Sequence, residues 1–300
     1  MICTLCPRNC GAERAPEHGT GVCRMGTLPK IARAALHRWE EPCISGTRGS
    51  GAVFFSGCGL RCVFCQNFEI SAAIIGTPCD EERLCDLFFE LEGQGAHNIN
   101  LVTPTPHTAL LRRAMLLARR RSFALPFVWN SNAYERVDVL RSLEGLVDIY
   151  LPDLKYVSSR KAEKYSDAPG YFDAASAAIL EMERQVGPLK VNGEGLATGG
   201  LLIRHLVLPG AVGQARAVMD WVCGSLGKGT HLSLMRQYTP MYRTAREPEA
   251  FPLLARKLTR REYQRAVEYA RLLGMENVYL QSAQSADCAF TPPFDGTGVD

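Results

Sequence analysis

From residue 50 onward, short apolar runs alternate with helix-periodic stretches, and no other feature of the 300-residue chain restricts its fold so tightly. GAVFFSG (51–57) is rich in aromatic and β-branched residues, ends in turn residues and reads as a buried strand. In the DEERLCDLFFELEGQG that follows, Leu84, Leu87, Phe88 and Leu91 recur at i, i+3, i+4 and i+7, the period of an amphipathic helix, acidic in its first turn and ended by Gly93. HNINLVTPTP (97–106) predicts a second strand and HTALLRRAMLLARRR (107–121) a second helix, whose Arg112, Arg113, Arg119, Arg120 and Arg121 are expected to form a solvated basic face. The alternation continues through PFVWNSN (126–132), LVDIYLPDLKY (146–156), LLIRHLVLPG (201–210), HLSLMRQYTP (231–240) and MENVYLQ, with a helical region from about 158 to 185 broken at Pro169 and Gly170. VNGEGLATGG (191–200) reads as a surface hairpin or loop. Continuous apolar strands separated by helices make a parallel sheet covered on both faces. Six or seven such units suit a full or partial (β/α) barrel, with a doubly wound open sheet as the alternative.

Apolar residues make up 46% and charged residues 22%, ordinary for a globular enzyme, and a net charge of +3 is too small to argue for nucleic acid or an anionic membrane. The start, MICTLCPRNC, lacks the basic and apolar regions of a secretory signal, and no apolar run approaches the roughly 18 residues that span a bilayer. A cytoplasmic location is expected. In such a chain, twelve cysteines argue for metal ligation rather than disulfides. Cys79, Cys85, Cys223 and Cys288 are scattered and read as small buried hydrophobes or incidental thiols.

SGCGLRCVFCQN (56–67) gathers Cys58, Cys62 and Cys65 as C-x3-C-x2-C directly after the first strand of the alternation. In a parallel barrel that position is the C-terminal rim, where sites are built. Gly57 and Gly59 let the backbone fold tightly around a ligand there. A zinc knuckle would want a fourth Cys or His close by. A four-iron cluster held by three thiolates leaves one iron open, which accounts for the missing fourth cysteine.

With Phe64 just before the third cysteine, this motif resembles that of the radical S-adenosylmethionine (SAM) superfamily. The resemblance implies a partial (β/α)6-type parallel barrel at 49–285, an N-terminal Cys-rich metal-binding extension at 1–48 and a C-terminal tail at 286–300. It further implies a 4Fe–4S cluster on Cys58, Cys62 and Cys65, whose open iron chelates SAM for reductive cleavage and hydrogen abstraction under anaerobic conditions. FSGCGLRCVFCQN, DIYLPDLKY and RHLVLPG are most similar to pyruvate formate-lyase activating enzymes and their homologues of unassigned substrate. On that likeness Asp153 and Lys155 would help hold SAM and a monovalent cation, Phe64 would contact adenine, and Asn130, Ser131 and Asn132 would approach SAM or the cation. The group's GGE after strand two is replaced by LVTPTPH, so Thr103, Thr105 or His107 would supply acceptors for the SAM amino group. Asp153 and Lys155 could equally be a plain ion pair, and of Arg204 and His205 only one can face the barrel mouth. The implied partners are a one-electron reductant of flavodoxin or ferredoxin type and, as candidate substrate, a glycine of a glycyl-radical enzyme. A small molecule or another peptide is the alternative substrate. A metal-binding or nucleic-acid-binding scaffold is the reading from a different class.

Ahead of the barrel, Cys3, Cys6, Cys10 and Cys23 form a C-x2-C-x3-C-x12-C set in a segment too short for a core of its own, so a metal is expected to hold it. Tetrahedral zinc and a second iron–sulfur cluster both satisfy the count, and Cys43 is a spare candidate ligand. Only Arg8, Arg14 and Arg24 interleave with these cysteines, which argues against nucleic acid.

Overall fold

The computed structural model describes residues 2–282, 285 and 291–299; Cys288 lies outside the described residues. Strand β1 (Lys30–His37) runs antiparallel to β2 (Ser50–Phe55) and also carries the two-residue β3 (Thr77–Pro78). From β2 the sheet continues through parallel β4 (Ile99–Val102), β5 (Phe127–Ser131), β6 (Ile149–Pro152), β8 (Ala197–Leu206), β9 (His231–Met235) and β10 (Val278–Leu280). The order is β10-β9-β8-β6-β5-β4-β2-β1-β3, with the short β7 (Lys190–Val191) making a hairpin onto β8. The two ends of that path are not paired to each other, so the architecture is a partial (β/α) barrel.

Crossovers are helical, as the alternation requires. Helix α2 (Glu81–Gly93) is capped by Asp80, whose side chain accepts from the Arg83 amide, and buries Leu84, Leu87, Phe88 and Leu91. Helix α3 (Thr108–Arg120) follows a single 3-10 turn at Thr105–His107. Its arginine face is not merely solvated: Arg113 pairs with Glu81 at 2.6 Å, Arg121 with Asp86 at 2.8 Å and Arg119 with Asp148 at 2.7 Å. Helices α4 (Val137–Arg141), α5 (Ser159–Ser166), α6 (Tyr171–Val186), α7 (Val212–Ser225), the short α8 (Arg243–Arg246) and α9 (Arg260–Leu273) complete the outer layer. The expected break near residue 170 falls between α5 and α6, where Asp167 and Gly170 both take positive φ.

Two elements of the N-terminal region are not legible as periodicity. One is β1, which ends opposite Ser50, the first residue of β2, and so delivers the chain to the N-terminal end of the barrel. The other is α1 (Pro42–Ser45), whose Cys43 and Ile44 pack on Val128, Ile149, Leu151 and Leu202 and close that end. The segment builds no core of its own; Met25, Ile31 and Ile44 are buried in the barrel's. Residues 291–299 lie along the outer edge of β1, where the Ala34 amide donates to Thr297 O and the Gly296 amide to Ala32 O, both at 3.0 Å. Among the described residues no helix is long and apolar enough to cross a membrane.

Candidate functional site

The loop that leaves β2 is pinned from behind by backbone. The Arg61 amide donates to Ser166 O (2.9 Å), Val63 N to Tyr165 O (2.8 Å) and Thr244 N to Val63 O (3.1 Å), tying it to the end of α5 and the start of α8. A single π turn, Glu69–Ala73, follows the loop. Cys58, Cys62 and Cys65 are free thiols, and every sulfur accepts a hydrogen bond. Cys58 Sγ receives the Leu60 amide (3.4 Å) and Asn132 Nδ2 (3.3 Å), Cys62 Sγ the Ser166 hydroxyl (3.0 Å), and Cys65 Sγ the Ser71 hydroxyl (3.3 Å). Burial, with the adjacent Cys62 sulfur adding to it, pushes the Cys58 thiol up to about 11 and the Cys65 thiol up to about 12. Such thiols stay protonated in the bare protein and become thiolates when a metal takes the proton's place. Three free sulfurs furnished with donors are a donor set that fits an iron–sulfur cluster, whose sulfurs take such hydrogen bonds. Ser71 and Ser166 were not foreseen, because a lone serine carries no pattern.

Beside the thiols a cavity of about 210 Å³ runs into the barrel, lined by Cys62, Phe64 and Cys65 and by Asn130, Asp153, Lys155, Arg204 and Glu40. Its charges form one connected network. Lys155 Nζ meets Asp153 Oδ2 at 2.8 Å, Asp153 Oδ1 accepts from Arg204 Nε at 2.9 Å, and Arg204 Nη1 donates to Glu40 Oε1 at 2.6 Å. Asn130 bridges the far end, accepting from Arg204 Nη2 (2.5 Å) and donating to Glu40 Oε2 (2.9 Å); Asn100 Nδ2 also donates to that carboxylate (3.1 Å). Burial alone would raise the Asp153 carboxyl, but Arg204 and Lys155 hold it below the usual range. Burial likewise opposes charge on Lys155, and Asp153 together with the Cys62 sulfur keeps its ammonium above its ordinary value. Both lumen cations are therefore fixed and charged.

The sequence-derived candidates divide. Phe64, Asn130, Asp153 and Lys155 line the cavity with Cys62 and Cys65. Phe64 also packs edge-on against Tyr238, with ring centroids 5.9 Å apart. Asn132 faces the Cys58 sulfur. Strand alternation sends Ser131 the other way from Asn130; it is buried and accepts from the Ala133 amide. Thr105 departs from its expected place as well. Its 3-10 turn aims the hydroxyl at Glu135 (2.5 Å), out of the lumen, and its side chain lines a small cavity with the N-terminal cysteines. Thr103 is held at φ +62 with its amide on Asn130 O, and its side chain does not line the lumen. His107 is buried against Ser56 O (2.8 Å), and burial lowers it to about 3. Of the Arg204–His205 pair, Arg204 faces the lumen; His205 donates through Nδ1 to Leu154 O at 2.7 Å. Glu40 was missed altogether, since its partners lie far along the chain.

At the N-terminus, Cys3, Cys6, Cys10 and Cys23 line one small cavity whose wall includes Gly59. Cys43 is not with them; it belongs to the barrel floor. Among the described residues no three His, Cys, Asp or Glu side chains converge as ligands of a single metal ion.

No family model matches the chain. An uncharacterized protein of Methanocaldococcus jannaschii, MJ0674, is 27% identical over 287 residues, covering 92% of this chain and 76% of the relative. Among solved structures, anSMEcpe with bound AdoMet (SAM) superposes with a TM-score of 0.51 at 10% identity, over 75% of this chain and 61% of that one. The same protein with AdoMet and the Cp18Cys peptide gives 0.51 at 11% identity, over 75% and 60%. The chain thus spans about three fifths of the length of those structures. At such identities the likeness is one of fold.

Proposed function

We propose that this chain, whose fold is that of the radical SAM enzymes, holds a 4Fe–4S cluster on Cys58, Cys62 and Cys65 and uses it to cleave SAM and abstract hydrogen from a substrate. The observation that carries the reading is the set of three free thiols, each supplied with a hydrogen-bond donor, two of which, Cys62 and Cys65, line a cavity that also holds the Asp153, Lys155, Arg204 and Glu40 charges. Such a cluster supplies the electron that breaks the sulfonium C–S bond and releases a 5′-deoxyadenosyl radical. The chain's own residues supply the rest. Phe64 offers a flat apolar surface to an adenine, and Asp153 and Lys155 present one anion and one cation to the amino acid part of SAM. Arg204 and Glu40 hold those two in place from below, so that binding requires no reorganisation of charge. Cys43 and Ile44 seal the far end of the barrel against water.

The finer assignment, a glycine of a partner glycyl-radical enzyme as hydrogen donor and a flavodoxin- or ferredoxin-type reductant as electron source, is supported by the likeness of the FSGCGLRCVFCQN and DIYLPDLKY segments to activating enzymes. The test is made on anaerobically reconstituted protein. With dithionite and SAM it should release 5′-deoxyadenosine, and C58A/C62A/C65A should release none. Intact SAM in the wild type overturns the reading. Electron paramagnetic resonance (EPR) on mixtures with candidate glycyl-radical proteins, set beside mixtures with small molecules and peptides, then decides the substrate class by whether a glycyl signal appears.

A further inference from the structure

We infer that Tyr171 is a positioning residue for SAM: its hydroxyl fastens the residue that faces the Cys58 sulfur to the charged pair offered to SAM. The inference rests on the reading above and begins where two strands end. β5 and β6 are adjacent and parallel, and their last rung is the Asp153 amide donating to Ser131 O at 2.9 Å. Past that rung lie Asn132 O, Asp153 O and the Lys155 amide, backbone groups that are costly to bury without a partner. Tyr171, the first residue of α6 and fully buried, serves all three with one atom. Its hydroxyl donates to Asp153 O at 2.7 Å and to Asn132 O at 2.9 Å, one proton shared between two carbonyls, and accepts from the Lys155 amide at 2.9 Å.

The three residues so tied have different tasks at the site. Asn132 Nδ2 donates to Cys58 Sγ, and its Oδ1 accepts from the Tyr134 amide at 2.9 Å, which fixes the orientation of the side-chain amide. Asp153 and Lys155 are an anion and a cation of the lumen. With all three backbones on one oxygen, the sulfur side and the charged side of the site keep a set spacing, and a ligand that spans them meets groups already in place. The phenol ring is itself confined. It stacks on Tyr134, with centroids 5.9 Å apart, and meets Tyr156 edge-on at 5.5 Å. The Tyr156 hydroxyl lies 2.8 Å from Ser166 Oγ, the donor to Cys62 Sγ, so the same aromatic layer backs both sulfur contacts. Burial raises the Tyr171 phenol, which therefore keeps its proton and remains a donor.

The test sets Tyr171→Phe beside Tyr134→Phe in the full chain, reconstituted anaerobically with iron and sulfide. Each variant keeps its ring and loses one hydroxyl. That of Tyr134 bonds Pro169 O at 2.7 Å and touches none of the three backbone groups, so it reports what a merely structural loss would do. Both variants should hold as much iron as wild type. Amide hydrogen exchange at 153–156 should quicken roughly tenfold in Tyr171→Phe alone. The dissociation constant for SAM, read by equilibrium dialysis, and KM should each rise roughly tenfold in Tyr171→Phe, with kcat within about twofold, and both constants should stay at wild-type values in Tyr134→Phe. Equal losses of SAM affinity in the two variants overturn the inference, as does faster exchange at 153–156 with SAM affinity unchanged. Loss of iron from Tyr171→Phe would place the hydroxyl's role in folding and overturn it too. A wild type that holds its iron and binds no SAM sinks the reading beneath, and this inference with it.

Discussion

Glu40 and Arg204, 164 positions apart, meet at 2.6 Å inside the barrel. The N-terminal segment thereby reaches the same network as Asp153 and Lys155. Removing one partner of a buried ion pair leaves the other charge uncompensated, a loss of about 3 kcal/mol where, as here, both side chains are largely buried. Glu40→Ala should therefore lower unfolding free energy in urea by about that much, and Glu40→Gln, which keeps an oxygen for Arg204, by distinctly less. A Glu40→Ala variant as stable as wild type would show that the pair contributes nothing.

Hydrogen bonds to cluster sulfurs stabilise the more reduced, more negative state and so raise its potential. Ser166→Ala deletes the donor to Cys62 and Ser71→Ala the donor to Cys65. Each should shift the cluster's reduction midpoint downward, by roughly tens of millivolts, without changing the iron count. An EPR-monitored redox titration reads the shift. A midpoint that stays put in both variants means that these hydroxyls do not serve the cluster.

Acid should destabilise the protein through a histidine that no mechanism uses. His205 is buried and burial lowers it to about 4, against about 6.5 when unfolded. Its contribution is whole above pH 6.5 and fades as pH falls toward 4, because the unfolded state takes up the proton first; the full span is worth roughly 3 kcal/mol. His107, lowered to about 3, acts with the same sign. His205→Asn retains a donor for Leu154 O and removes the titration, so its stability should fall less steeply between pH 6.5 and 4. Parallel slopes for the two proteins would refute the assignment.

How far the sequence could be read depended on the range of each interaction. The motif loop and the alternation are local signals, and Cys58, Cys62, Cys65 and the parallel strands follow from them. Strand β1, KIARAALH, is rich in alanine and charge and has no strict alternation; it is a strand because β2 and residues 296–297 flank it. The Asn130–Ser131–Asn132 run shows the same limit at the site. Strand geometry sets Ser131 apart from its two neighbours, and sequence did not say which side faces the site: Asn130 lines the lumen and Asn132, just past the strand, meets the Cys58 sulfur. Glu40, Ser71 and Ser166 join the candidate site through contacts made at a distance, which no short window contains.

Gly57, in the loop that carries the three cysteines, also admits the N-terminal segment. Gly57 takes φ +84, and a Cβ there would stand 2.2 Å from Met25 Cγ and 3.0 Å from Cys23 O. Gly57→Ala thus combines left-handed strain with a collision against a buried side chain, and should cost about 2 kcal/mol or more. Gly170→Ala supplies the comparison, since its φ is +60 and nothing lies within 4 Å of the added Cβ, which leaves backbone strain of about 1 kcal/mol. If the contact is what matters, Gly57→Ala should also expose residues 2–25 to limited proteolysis while Gly170→Ala leaves them protected. Because Cys23 moves with Met25, the same variant should loosen the N-terminal thiols without touching a single cysteine. Matching cleavage patterns in the two variants would mean that the segment is not held through Gly57.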